Sequence, residues 1–69
     1  MSQVQRLIEH LSEGNTINRI ASYNVLGIFE LSARVIDAEK MGCVIERKWR
    51  TVTNRFGEKV RVKDYWMEV

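Results

Sequence analysis

The spacing of apolar residues changes at Gly42, and this change limits the possible folds more than any other feature of the chain. Before Gly42, apolar residues recur three and four positions apart, as on one face of an α-helix. After it, residues 43–53 are rich in β-branched and aromatic types and alternate from Ile45 onward, which is typical of a β-strand. With 69 residues, the chain has room for one domain over residues 1–69. The pattern predicts an α+β fold with its helices first.

Two short helices are predicted ahead of a longer one. The apolar face of the first helix has helical spacing: Val4, Leu7, Ile8 and Leu11. This helix should end at Gly14, which can adopt a left-handed C-cap. Asn18 is a favourable N-cap for a second helix over residues 19–26. So short a helix needs packing to hold it, for which we expect three apolar side chains: Ile20, Val25 and Leu26.

A third helix is predicted over residues 28–41, between Gly27 and Gly42. Its inner face carries residues at i, i+4 and i+7: Leu31, Val35 and Ala38. Gly27 lies where a short turn between helices needs a positive φ. A helix, a short glycine-containing turn and a second helix are the pattern of a helix-turn-helix, whose second helix enters the DNA major groove. An ordinary helix pair in a small bundle would give the same pattern.

Residues 44–63 form a predicted basic β-hairpin with its tip within residues 53–58, where Asn54 and Gly57 suit a turn. The apolar series shifts by one position after Lys63, so we expect a bulge or bend there. Charge is also uneven: residues 1–42 carry four basic and five acidic side chains, whereas residues 43–69 carry seven basic and four acidic ones. A basic hairpin favours a polyanionic partner.

Three helices followed by a two-stranded hairpin are the element order of a winged helix-turn-helix. Residues 11–15 read Leu-Ser-Glu-Gly-Asn and residues 31–34 read Leu-Ser-Ala-Arg. With these motifs the chain resembles, over nearly its whole length, the small winged helix-turn-helix domains of bacteriophage and prophage proteins. The resemblance implies a DNA-binding protein in a phage or prophage setting, either a transcriptional regulator or a recombination accessory factor. The family usually has arginine where this chain has Glu30.

The predicted DNA-binding residues lie on the third helix and on the hairpin. On the helix they are Glu30, Ser32, Ala33, Arg34 and Asp37. On the hairpin they are Arg47, Lys48, Arg50, Arg55, Lys59 and Arg61. Arg34 either reads a guanine or pairs with acidic neighbours on its own helix. Arg55, at the hairpin tip, is best placed to reach a phosphate, although a solvated hairpin would carry the same charges.

Four aromatic residues of the C-terminal third have two possible roles, either base stacking or core packing. They are Trp49, Phe56, Tyr65 and Trp66. In so small a domain the core is the more common place for such side chains.

No catalytic residue, cofactor or metal site is predicted. His10 and Cys43 are the only residues of their types, so a four-ligand zinc site is improbable, and no nucleophile–base pair or phosphate-binding loop is visible. We therefore expect a protein that is not an enzyme. The lone cysteine excludes an internal disulfide and fits a cytoplasmic protein, and no segment is apolar enough to span a membrane.

Double-stranded DNA is the expected partner, bound by a monomer or by a dimer that DNA helps to form. No long heptad pattern is left to build a stable dimer. The alternative is a protein-interaction module that binds or inhibits a host or phage protein through the same scaffold. Glu30 and Asp37 favour this alternative, because acidic residues on the recognition face repel DNA.

Overall fold

The computed structural model describes residues 2–68. In chain order the elements are α1 (Gln3–Ser12), α2 (Arg19–Leu26), α3 (Leu31–Lys40), β1 (Ile45–Thr53) and β2 (Lys59–Met67). The two strands pair antiparallel in one sheet. Three helices followed by a β-hairpin confirm the predicted winged helix-turn-helix fold.

A capping box fixes the start of α1. The Ser2 hydroxyl accepts a hydrogen bond from the Gln5 amide, while the Gln5 side chain accepts one from the Ser2 amide. Leu7 and Leu11 on its inner face are completely buried. The helix ends where predicted, with Gly14 beyond it at φ 88°.

The bounds predicted for α2 are confirmed, but of its three predicted packing residues only Leu26 is buried. Asn18 caps the helix, because its side-chain oxygen accepts hydrogen bonds from the amides of Ile20 and Ala21. Ile20 and Val25 are more than half exposed, and the buried side chains are Leu26 and Ser22. Ser22 can enter the interior because its hydroxyl donates to the Ile28 carbonyl oxygen at 2.8 Å.

The turn between α2 and α3 is longer than predicted. Gly27 adopts the expected left-handed conformation, at φ 69°. Ile28 does not start α3: its side chain is fully buried and its amide donates to the Ser22 carbonyl oxygen of α2. The predicted helix over residues 28–41 is therefore too long at both ends, because the backbone at Ile28 is bonded to the preceding helix and α3 spans only Leu31–Lys40.

The hairpin pairs nine residues without interruption, from Ile45 opposite Met67 to Thr53 opposite Lys59. Its loop falls inside the predicted tip. The prediction of a bulge or bend near Lys63 is wrong, because the pairing of the two strands continues through this residue without a break. The apolar series shifts there because the last part of β2 is at least partly covered on both faces, and because Ile17 forms an antiparallel bridge to Tyr65.

The core lies between α1, α3, the α2–α3 turn and the base of the hairpin. Its buried members are Leu7, Leu11, Ile17, Leu26, Ile28, Leu31, Val35, Ala38, Ile45 and Tyr65. Most of β1 beyond Ile45 is exposed. We call residues 46–66 the wing. Its first strand is mostly exposed, whereas its second strand contributes Tyr65 to the core.

Candidate nucleic-acid interface

Three buried residues of α3 identify the inner face of this helix and therefore also its outer face. Since Leu31, Val35 and Ala38 point inward, the remaining positions of the helix lie toward solvent or at its flanks. Ser32 is exposed, as is Glu30 just before the helix. The other predicted contact residues of this helix are half-buried: Ala33, Arg34 and Asp37.

Arg34 is paired within its own helix. Its Nε lies 3.0 Å from Asp37 Oδ2. The Arg34 Nε atom is buried and has no hydrogen-bond partner. The contact is therefore an ion pair without a hydrogen bond. Pairs of this kind contribute roughly 0.2–0.5 kcal/mol. The Arg34 side chain is 33% exposed, so this pair is partly open to solvent.

Two arginines of the wing pair with acidic residues, one on α3 and one on the facing strand of the wing itself. Arg47 Nη2 lies 2.6 Å from Glu39 Oε2 and so joins the wing to α3. Arg50 bonds Asp64 through two nitrogens, at 2.7 and 3.3 Å. The Arg47 pair fixes the wing against α3, whereas the Arg50 pair joins the two strands within the wing. Each arginine shares its charge with a carboxylate.

The remaining predicted cations of the wing are exposed and make no ion pair within residues 2–68. They are Lys48, Arg55, Lys59 and Arg61. Strand alternation and the observed register place Lys59 and Arg61 on the same face as Arg47, whereas Lys48 lies on the opposite face with Arg50. Because Arg47 contacts α3, the face of the hairpin that carries Lys59 and Arg61 is the one beside α3.

A groove of about 350 Å³ separates the wing from the start of α3. Its lining includes Arg19, Phe29, Glu30, Ser32, Trp49, Arg61 and Lys63, with buried Leu31, Val62 and Tyr65 behind them. Trp49 is 53% exposed. The Arg61 guanidinium and the Lys63 ammonium lie 4.7 and 5.0 Å from the centre of its ring, within the range of cation–π attraction.

Sequence reasoning did not include Arg19 or Phe29 in the site, and it counted Lys63 only among the basic residues of the hairpin. They come from three separate segments, and only the packing of the wing beside the α2–α3 turn brings them together. Of the four aromatic residues, Tyr65 is in the core, Trp66 is partly buried, and Trp49 and Phe56 are exposed. Lys63 lies directly opposite Trp49 across the hairpin. This cross-strand pairing was the one signal that could have placed Lys63 in the groove.

Asp64 connects the wing to the start of α2. The hydrogen bond from Arg50 is the main cause that lowers the pKa of the Asp64 carboxyl, and the Asn18 side-chain amide, 3.2 Å away, adds to it. Partial burial acts in the opposite direction and is outweighed. The ionised form of Asp64 is thus favoured in the folded protein.

We expect acid to weaken the fold partly through this residue. A carboxyl whose folded-state pKa is lowered adds stability above its unfolded pKa, about 3.9, and this stability is lost as the pH falls through the folded value. Asp64→Asn should therefore lower the melting temperature at pH 7 and reduce the further loss between pH 5 and pH 2, measured by circular dichroism. Equal acid sensitivity of the variant and the natural protein would show that Asp64 has no such role.

The geometry defines a class of protein. A left-handed glycine turn joins α2 to α3, and a basic hairpin lies beside α3, which is the arrangement of a winged helix-turn-helix module. The chain belongs to the winged helix-turn-helix domain family, whose model matches residues 2–69. Comparisons with curated proteins and with solved structures gave no match.

Modules of this fold typically bind DNA. In the part of the chain that the structure describes, no helix has the length and apolar character needed to cross a bilayer. Among residues 2–68, no three His, Cys, Asp or Glu side chains are grouped so as to hold a metal ion.

Proposed function

We propose that this chain is a double-stranded DNA-binding protein that places α3 in the major groove and its wing along the phosphate backbone. The observation that carries this proposal is the exposed cations on the α3 side of the wing. Lys59 and Arg61 lie there, and Arg55 lies at the tip. A duplex that receives α3 in its major groove presents its backbone to these side chains.

The contact residues then divide by role. Arg34 reads a base after it leaves Asp37, with Ser32 and Ala33 beside it on the same helix. The wing cations bind phosphates and fix the register of the complex without reading sequence. Arg47 holds the wing against α3 while adding to the positive field. Lys48 and Arg50 belong to the opposite face and contribute less.

We further propose a regulatory or recombination-accessory role in a phage or prophage, on the strength of the resemblance of residues 11–15 and 31–34 to that group of proteins. Residues 1–69 act as one domain with no catalytic residue and no cofactor. The protein binds as a monomer or as a DNA-assisted dimer. Its free thiol at Cys43 suits the reducing cytoplasm.

A protein-interaction module remains the second candidate function. The observation in its favour is the exposed apolar surface of α2 and the turn. Tyr23 and Phe29 stack there with ring centres 4.2 Å apart, and Ile20 is 56% exposed. Exposed apolar groups of this kind favour contact with protein, whereas they add nothing to phosphate binding.

The role of Arg34 can be tested on the best duplex selected from a random-sequence pool. Arg34→Ala should lose roughly 1–3 kcal/mol on that duplex and should relax the preference at one base position, as expected for removal of a bidentate guanine contact. Titrations of every single-base variant of the selected site measure this preference.

The complementary change is Glu30→Arg, which restores the residue usual in the family. It should tighten binding to all fully paired duplexes, because it replaces an acid beside the DNA with a cation. For Arg34→Ala, the contradicting result is a base preference that stays unchanged. That result would mean that Arg34 serves only to pair with Asp37.

A further inference from the structure

The groove between the wing and the start of α3 has two aromatic walls. Trp49 stands on the wing, and Phe29 stands on the α2–α3 turn; both are exposed by more than half. Phe29 is held in place by stacking on Tyr23. Exposed aromatic rings at the edge of a basic groove provide surfaces on which unpaired bases stack.

The charged groups of the groove are of two kinds. Arg19, Arg61 and Lys63 line it as cations, which suits a phosphate. Glu30 lines it as well, and a carboxylate opposes phosphate binding but accepts hydrogen bonds from the amino groups of bases. A site that combines cations, an acid and aromatic walls therefore matches a whole nucleotide better than a backbone phosphate alone.

The size of the groove agrees with this chemistry. Its volume of about 350 Å³ lies at the lower end of the range for small-molecule sites, roughly 300–1,000 Å³. Paired bases stay stacked inside the duplex and cannot reach between the two aromatic side chains. Only a base that has left the stack can enter, and this costs least where the base is already unpaired.

We infer that this groove receives one unpaired nucleotide, so that the protein binds most tightly to duplex DNA that contains a bulged base. This inference rests on the proposed DNA-binding function and adds a substrate preference to it. Arg61 and Lys63, which lie over the Trp49 ring in the free protein, move with Arg19 to the flanking phosphates. The base then stacks against Trp49 and Phe29, and Glu30 accepts from its amino group.

The test compares two duplexes of one sequence, one fully paired and one with a single bulged 2-aminopurine. The natural protein should bind the bulged duplex roughly 5-fold or more tightly, the smallest effect expected for one base–aromatic stack. Fluorescence of the 2-aminopurine should fall on binding, since the emission of this base is quenched when it stacks.

Three variants show where the base lies. Trp49→Ala and Phe29→Ala should each reduce the ratio of bulged to paired affinity, and Phe29 is so exposed that its replacement should leave the fold intact. Phe56→Ala is the matched control: this phenylalanine is 74% exposed at the hairpin tip and does not line the groove, so the ratio should persist.

The outcomes separate the two proposals. Equal affinity for paired and bulged duplexes would overturn the inference and leave the DNA-binding function standing. A bulge preference that survives both Trp49→Ala and Phe29→Ala would overturn the assignment of the base to this groove. Failure to bind either duplex would overturn the inference together with the proposed function.

Discussion

Replacing Ile28 with alanine should destabilise the protein by about 2–5 kcal/mol, the usual cost of removing a large buried aliphatic group. Ile28 is fully buried in the turn between α2 and α3. Its amide donates to the Ser22 carbonyl oxygen, and its own carbonyl accepts from the Ser22 hydroxyl. A cavity here would loosen the geometry that sets α3 against α2. Domains of this size are stable by only about 3–10 kcal/mol, so much of the protein should unfold.

Ile20→Ala is the matched control, because it deletes the same atoms from a side chain that is 56% exposed. Its cost should lie within about 0.5 kcal/mol of zero, as for most surface substitutions. Chemical denaturation monitored by circular dichroism gives both values. Equal losses for the two isoleucines would contradict the assignment of Ile28 to the core.

Removing three wing cations together should have the largest effect on DNA binding. We expect the triple variant Arg55→Ala, Lys59→Ala, Arg61→Ala to reduce the slope of log affinity against log salt by about 2.7, since each phosphate contact contributes about 0.9. As salt rises from about 50 to 200 mM, the advantage of the natural protein should shrink roughly 40-fold. Titration of one paired duplex at several salt concentrations measures both quantities.

Lys48→Ala serves as the matched control for this experiment. Lys48 belongs to the same strand pair and has the same charge as Lys59, but it lies on the face of the hairpin away from Lys59. Its removal should change the salt slope by clearly less than one phosphate contact. A slope that the triple variant leaves unchanged would show that the wing does not lie on the backbone.

Local signals were enough to predict most of the fold. Asn18 and Gly27 act through their own backbone neighbours, so their roles as cap and turn could be read from the sequence. The start of α3 could not be read from the sequence, because the amide of Ile28 donates to the carbonyl oxygen of Ser22, six residues earlier. The regular pairing near Lys63 was missed for a similar reason, since the bridge from Ile17 to β2 is a long-range contact.

The site was less predictable than the fold. The Arg34–Asp37 pair spans three residues of one helix, and it was foreseen as one of two alternatives. The pairs that involve Arg47 and Arg50 join residues 8 and 14 positions apart, and only the folded arrangement of the wing determines them. The DNA-binding roles of all these residues remain predictions.

The central claim is that DNA binds to the surface formed by α3 and the wing. The most direct measurement is the affinity of the natural protein for a labelled random-sequence duplex, followed by fluorescence anisotropy as salt increases. Three phosphate contacts from the wing alone predict clear binding at about 50 mM salt and a slope of about −2.7 or steeper. No binding at that salt concentration, or an affinity that does not respond to salt, would contradict the claim and would favour a protein partner.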